Sequence, residues 1–330
     1  MYTNLRPRGN GENRCSRASH SHQSGNRTGK DSQQARCKQA PPEPGWHGPE
    51  NQTHVEVCLL TIVVITTIMG VSGWKKRFLE EGYMLQIIRS NDRYHFETDW
   101  LSTRWHFSFD HYHDPANISF GPLRVFNDDL IQPAGGFPMH PHKEMEIVTY
   151  VMEGALEHRD SMGNTGRIGP GEIQRMTAGT GIRHSEYNAS KKDPLRLIQL
   201  WILPEKSRLE PSWEQKQFSN AARNGKLLPI AVPVGRDPAS VNGAVRIYQD
   251  ATIYTSLLNP GKTTSLTLAA GRRAYLFLMD GELKLKSKNG QASEPPVTLS
   301  AGDQARITET SALEFTGGKT AADFLLLDLP

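Results

Sequence analysis

At 330 residues the chain can hold two domains of ordinary size, and its 38 basic and 35 acidic residues leave a net charge of only +3. That charge is uneven: residues 1–77 carry 11 Lys/Arg against 5 Asp/Glu, leaving residues 78–330 slightly acidic at 27 against 30, which argues against direct nucleic-acid binding by the folded part. Cys15, Cys37 and Cys58 are the only cysteines, so nothing after residue 58 can form a disulfide framework or a thiolate metal site.

Residues 1–54 are rich in Ser, Asn, Gln, Gly and Pro with hardly a large apolar side chain, a composition that cannot offset its ordering entropy. The expectation for residues 1–83 is a disordered basic tail. It contains an uncharged apolar stretch at 57–74, closed by Lys75, Lys76 and Arg77, which is at the lower limit for a membrane span. Two readings stand side by side: a membrane anchor, or a mis-started reading frame in which Met84 opens a cytoplasmic protein.

From about residue 120 the chain is a series of short apolar runs separated by Gly, Pro, Asn and Asp, among them "EIVTYVMEG", "EIQRMTAG", "LRLIQLWILP", "AYLFLMDG" and "DFLLLDL". Runs of this length and spacing predict an all-β sandwich or barrel. Helical periodicity is weak, the best candidate being a short piece around Pro211 to Asn224. Tyr150 to Met176 is echoed by Phe277 to Ile307: strand, acidic-Gly turn, strand, Gly hairpin, and a further strand after a Gly-Asp/Glu turn. The echo predicts two β-barrels in tandem, of the jelly-roll kind that leaves few exposed edges. The expected divisions are 84–210 and 211–330.

The candidate chemistry lies in "GGFPMHPHKEME" and "AGTGIRHSEYN". Side chains alternate faces along a strand, so His140 and His142 point one way, as do His184 and Glu186. Two such pairs on neighbouring strands would offer three nitrogens and one carboxylate to a metal, with positions left open. "DHYHD", with His111 and His113, sits among Asp, Asn and Pro and reads as a loop, while His106 and His158 lack a paired histidine and read as ligand-supporting or surface residues. Aligning Gly154 with Gly281 sets His140 on Thr267 and His142 on Ala269; aligning Gly171 with Gly302 sets His184 on Phe315 and Glu186 on Gly317 if no gap intervenes. No histidine follows His184, so of two barrels only the first can carry this site.

These stretches, with "WHFSFDHYHDPANISFGPLRVFNDDLI" before them, closely resemble the pirin family of the cupin superfamily over about residues 84–330. The resemblance implies two tandem cupin barrels, Fe(II) held in the first by His140, His142, His184 and Glu186, and a second barrel without metal. Ligand type alone would admit Ni, Cu or Zn as well. Glu146 stands where many cupins place a ligand glutamate. If the strand is regular it shares a face with His142 and could orient an imidazole, whereas Glu144 reads as a solvated charge.

The resemblance implies a quercetin 2,3-dioxygenase-type activity: a flavonol binds through its 3-hydroxyl, Glu186 is the candidate base, O2 reacts, and carbon monoxide leaves. The alternative is an iron-dependent, protein-binding regulator of the transcription co-regulator type without catalysis. A monomer is expected.

Overall fold

The computed structural model describes residues 84–236, 243–289, 292–293, 295–310 and 312–330. The expectations for residues 1–83, the apolar stretch 57–74 included, lie outside the described residues. Among the described residues no helix is long and apolar enough to cross a membrane.

The first half runs β1 (Met84–Ile88), β2 (Tyr94–Glu97), β3 (Leu101–Trp105), β4 (Leu123–Ile131), β5 (Gly136–His142), β6 (Glu146–Glu153), β7 (Leu156–Asp160), β8 (Thr165–Ile168), β9 (Glu172–Thr177), β10 (Ile182–Asn188), β11 (Leu195–Ile202) and β12 (Ser212–Gln217). After the single turn of α1 (Asn220–Arg223) come β13 (Leu228–Pro233), β14 (Val245–Ile247), β15 (Thr252–Leu258), β16 (Thr263–Thr267), β17 (Arg273–Asp280), β18 (Glu282–Asn289), β19 (Ala292–Ser293), β20 (Val297–Ser300), β21 (Gln304–Thr308), β22 (Ala312–Gly317) and β23 (Ala322–Leu329). The fold is thus the expected all-β pair of jelly-roll barrels. The sheet β12-β9-β6-β11-β4-β3-β2 faces β5-β10-β7-β8; the sheet β1-β21-β17-β23-β15-β13-β14 faces β16-β22-β18-β19, with β20 also on β18.

Two strands cross the divide expected at residue 210. β1 pairs with β21 in the second large sheet, and β12 pairs with β9 in the first. The short helix expected over Pro211 to Asn224 is reduced to α1, capped by Ser219 Oγ accepting from the Ala222 N–H. Its first part is β12, where pairing from Ser212↔Thr177 to Gln217↔Glu172 overrides a weak local preference.

Alternation sorts the core. On β6 and β11 one face supplies Val148, Tyr150, Ile198, Leu200 and Ile202 to a cluster shared with Tyr275, Phe277, Leu325 and Leu327, which joins the large sheets back to back. Each such side chain, fully buried, contributes about 1.5–3 kcal/mol. The second barrel is filled by Leu276, Leu283, Leu285, Leu299, Leu313, Phe315, Phe324 and Leu326. The echo between the halves extends to their turns: Gly154 (φ 77°) and Gly281 (φ 83°) press against the residues that lead into β11 and β23 respectively, leaving no room for a Cβ.

Candidate metal centre

Three adjacent strands of the small first sheet build the site. In the β5–β10 ladder His184 pairs with His140 and Ile182 with His142; a bulge between His184 and Glu186 then sets Glu186 opposite Phe137. In the β10–β7 ladder His184 faces Asp160 and Glu186 faces His158. Gly136 makes the approach possible, because a Cβ there would run into the Glu186 carbonyl and the Tyr187 Cα.

The rings of His140, His142 and His184 converge. Their centroids stand 4.7 Å (140–142), 4.5 Å (140–184) and 4.8 Å (142–184) apart. Their ligand nitrogens all lie within 4.8 Å of one another. A second group with the same spread joins His158, His184 and Glu186. The four residues expected from the sequence are therefore neighbours, with Glu186 grouped through His184 and not directly with His140 and His142.

His140 Nδ1 lies 2.7 Å from the Pro138 carbonyl, so Nδ1 carries the proton and Nε2 is the lone-pair nitrogen. Burial, and then the neighbouring imidazoles, push His142 down to about 3 and His184 down to about 2. Both rings are thus neutral, the form that binds a metal. Both nitrogens of His184, a buried residue, lack a hydrogen-bond partner. Three converging imidazoles beside a carboxylate, those of His142 and His184 neutral and that of His184 with both nitrogens unpartnered, fit a divalent transition metal.

Glu186 is buried and held on both oxygens. Its Oε1 accepts from Gln174 Nε2 at 2.6 Å and Thr149 Oγ1 at 3.5 Å, and its Oε2 from Gln199 Nε2 at 2.7 Å. Trp213 and Trp201 brace the two glutamines, each donating its indole N–H to an amide oxygen. Trp201 also sets its edge to His142 at 4.8 Å and to Phe109 at 5.4 Å, forming an aromatic flank.

The structure redraws several expectations. Glu146 does not share a face with His142. It lies on the outward face of β6, fully buried toward the second half, where Oε2 accepts from Thr177 Oγ1 at 3.1 Å and the Tyr248 N–H at 3.4 Å. Glu144, in a left-handed turn (φ 51°), takes the Arg208 N–H on both oxygens. His106 is neither surface nor ligand support: it is buried against Tyr275 of the second barrel. His111 is a loop residue bonded to Tyr94 Oη and belongs with His113 to neither metal-type group. His158, by contrast, is fully buried with its ring 5.3 Å from that of His184, which removes the surface reading and leaves the ligand-supporting one. The cavity of about 490 Å³ where the barrels meet, lined by residues such as Tyr150, Arg223 and Asp323, shares no lining residue with the site.

A family model described as Pirin matches residues 88–202, and one described as Quercetinase C-terminal cupin domain matches 236–329. A quercetin 2,3-dioxygenase of Escherichia coli K12 is 40% identical over 248 residues, covering 75% of this chain and 99% of that protein. The chain belongs to the pirin family. A pirin-like protein of Caulobacter vibrioides is 40% identical over 229 residues, covering 69% of this pirin and 92% of its own length. Among solved structures, the bacterial pirin YhhW of Escherichia coli in complex with nickel(II) is similar with a TM-score of 0.66 and 37% identity, over 75% of this chain and 99% of that one.

The ladders also correct the alignment of the halves. Glu186 pairs with His158 as Phe315 pairs with Leu285, so a two-residue gap sets Glu186 on Phe315 and His184 on Leu313, not on Gly317 and Phe315. His140, opposite His184, then matches Leu266, opposite Leu313. The residues around Glu186 follow suit: Thr149, Gln174 and Gln199 occupy the positions of Leu276, Ala305 and Leu326. At each of these six positions the second barrel has hydrocarbon where the first has His140, His184, Glu186 or one of the three donors to Glu186.

Proposed function

We propose that this pirin holds iron(II) between His140, His142, His184 and Glu186 and cleaves flavonols with O2, opening the central ring and releasing carbon monoxide. The observation that carries the reading is the convergence of three imidazoles beside an anchored carboxylate in one barrel, with Leu266, Leu313 and Phe315 at the positions of His140, His184 and Glu186 in the other. The names of relatives at 40% identity support the substrate class.

In this reading Gln174 and Gln199 hold the Glu186 carboxylate in a fixed orientation, and Glu186 receives the proton of the flavonol 3-hydroxyl. The metal, when bound, supplies Lewis acidity toward the resulting oxyanion and a redox partner for O2. Trp201 and Phe109 provide an aromatic wall against which a flat substrate packs and from which water is excluded.

The test uses the full chain, loaded with iron under anaerobic conditions and mixed with quercetin and then O2. Loss of the flavonol absorbance with release of carbon monoxide is expected. Absence of turnover at full iron occupancy would defeat the reading.

A further inference from the structure

Of all the ionisable groups in this barrel wall, His158 and Asp160 are the pair with no role so far. They sit on β7 directly across from Glu186 and His184, and both are buried. Asp160 is an anchored anion: Oδ1 accepts from the N–H groups of Met162 (2.9 Å) and Asn164 (3.0 Å), and Oδ2 from Asn164 Nδ2 (2.9 Å). His158 Nε2 lies 3.3 Å from the same Oδ2. A carboxylate only accepts, so Nε2 carries the His158 proton and Nδ1 is left as the lone pair. Trp213 stacks on the ring at 5.4 Å and 11°, fixing its plane.

His158 Nδ1 has no partner, and neither nitrogen of His184 has one. An unsatisfied buried polar atom costs about 1–3 kcal/mol, so three on two adjacent rings call for an explanation. An N–H···N bond of about 3 Å between two imidazoles puts their centres about 5 Å apart. The observed separation is 5.3 Å with a 53° tilt, close to that value.

We propose that His158 is a positioning residue for the metal centre: its Nδ1 accepts a hydrogen bond from one nitrogen of His184, in a chain Asp160–His158–His184, and so makes the other His184 nitrogen the metal-binding lone pair. The inference rests on His184 being a ligand. The chain selects the His184 tautomer and passes negative charge from Asp160 toward the metal, making the imidazole a stronger donor. It also accounts for a buried aspartate on the same sheet face as the ligands.

The experiment measures Ni(II) affinity of the full-length protein by competition with a chromophoric chelator, and the midpoint potential of the iron-loaded form. Asp160→Asn keeps the side-chain shape but lets an amide N–H meet His158 Nε2, which moves the proton to Nδ1. Asp160→Asn and His158→Ala are expected to weaken Ni(II) binding about 10–100-fold. His158→Gln, whose amide oxygen can accept from His184, recovers most of the loss. The potential of Asp160→Asn shifts upward, because the oxidised metal loses its better donor. Metal-free melting temperatures are read in parallel, and Asp160→Asn carries the test if His158→Ala fails to fold. Native-like affinity in both Asp160→Asn and His158→Ala overturns the proposal, as does His158→Gln binding no better than His158→Ala. Failure of flavonol turnover leaves this measurement untouched, whereas native Ni(II) binding by His184→Ala would remove its premise.

Discussion

Glu186 and Phe315 hold the same position in the two barrels, Glu186 paired across the ladder with His158 and Phe315 with Leu285. One fold thus presents two interiors. The second is closed by hydrocarbon and gains its full transfer energy. The first gives up part of that energy to keep imidazole, amide and carboxylate groups together in its wall, a local conflict of the kind that marks a functional site.

The three-histidine group sets the first prediction. His184→Ala removes the imidazole shared by both candidate metal groups, so metal binding is lost, while the metal-free protein gives up a buried ring and its proposed bond to His158 at a cost of about 1–3 kcal/mol. Metal content by elemental analysis and urea unfolding of the metal-free form check the two halves of this statement. A stoichiometric metal in His184→Ala would rule out the ligand set.

The amides around Glu186 set the second. Gln199→Leu copies Leu326 of the second barrel and strips Oε2 of its 2.7 Å donor. Leaving that carboxylate oxygen short of a partner costs about 1–3 kcal/mol, so the carboxylate loses its fixed orientation, metal affinity falls and turnover drops about 5–150-fold. Steady-state kinetics with quercetin, at matched iron content, measure it.

Gly136 is the third. A Cβ at this position meets the backbone of Glu186 and Tyr187, and backbone cannot swing aside as a side-chain tip can. Gly136→Ala therefore separates β5 from β10 at the site, with a loss of roughly 2 kcal/mol or more and a weakened metal centre. Thermal unfolding and metal titration of the variant report the two effects.

Glu146 gives a pH dependence. Burial is the main cause that raises its carboxyl to about 7, against the Thr177 hydroxyl, Arg175 and the Tyr248 N–H, which act to lower it. In the unfolded chain the group ionises near 4.5. Between these values the folded state holds a proton that the unfolded state has released, so stability is full below about pH 4.5 and falls as pH rises toward 7. At about 1.4 kcal/mol per unit, up to about 3 kcal/mol is at stake. Urea unfolding should find Glu146→Gln more stable than the native protein at pH 8 and the gap closed near pH 5. Asp129, also pushed up to about 7 mainly by burial, keeps a residual slope in the variant.

Much of the site was legible because two-residue periodicity is a local property. It put His140 with His142, and His184 with Glu186, on common faces, and the glycine-to-strand context separated them from the His111 and His113 loop. The same periodicity misled for Glu146. The turn through Glu144 lies between β5 and β6, so parity counted from His142 does not carry into the next strand, and Glu146 faces the other barrel. For His158 the sequence left a ligand-supporting and a surface reading open, and only the β7–β10 ladder, which buries it opposite Glu186, removes the second; His158 and Asp160 repeat the spacing of the other two pairs.

The strands, their apolar faces, the doubling of the barrel and the absence of histidine from the second half all follow from residue order, since each depends on neighbours a few positions apart. Which pairs meet does not. His140 lies opposite His184, Glu186 opposite His158, and β1 within the far sheet through hydrogen bonds between strands tens to hundreds of residues apart. Register along those ladders, and the bulge between His184 and Glu186 in particular, is set by the packing of whole sheets, and it is register that brings the three spaced pairs together.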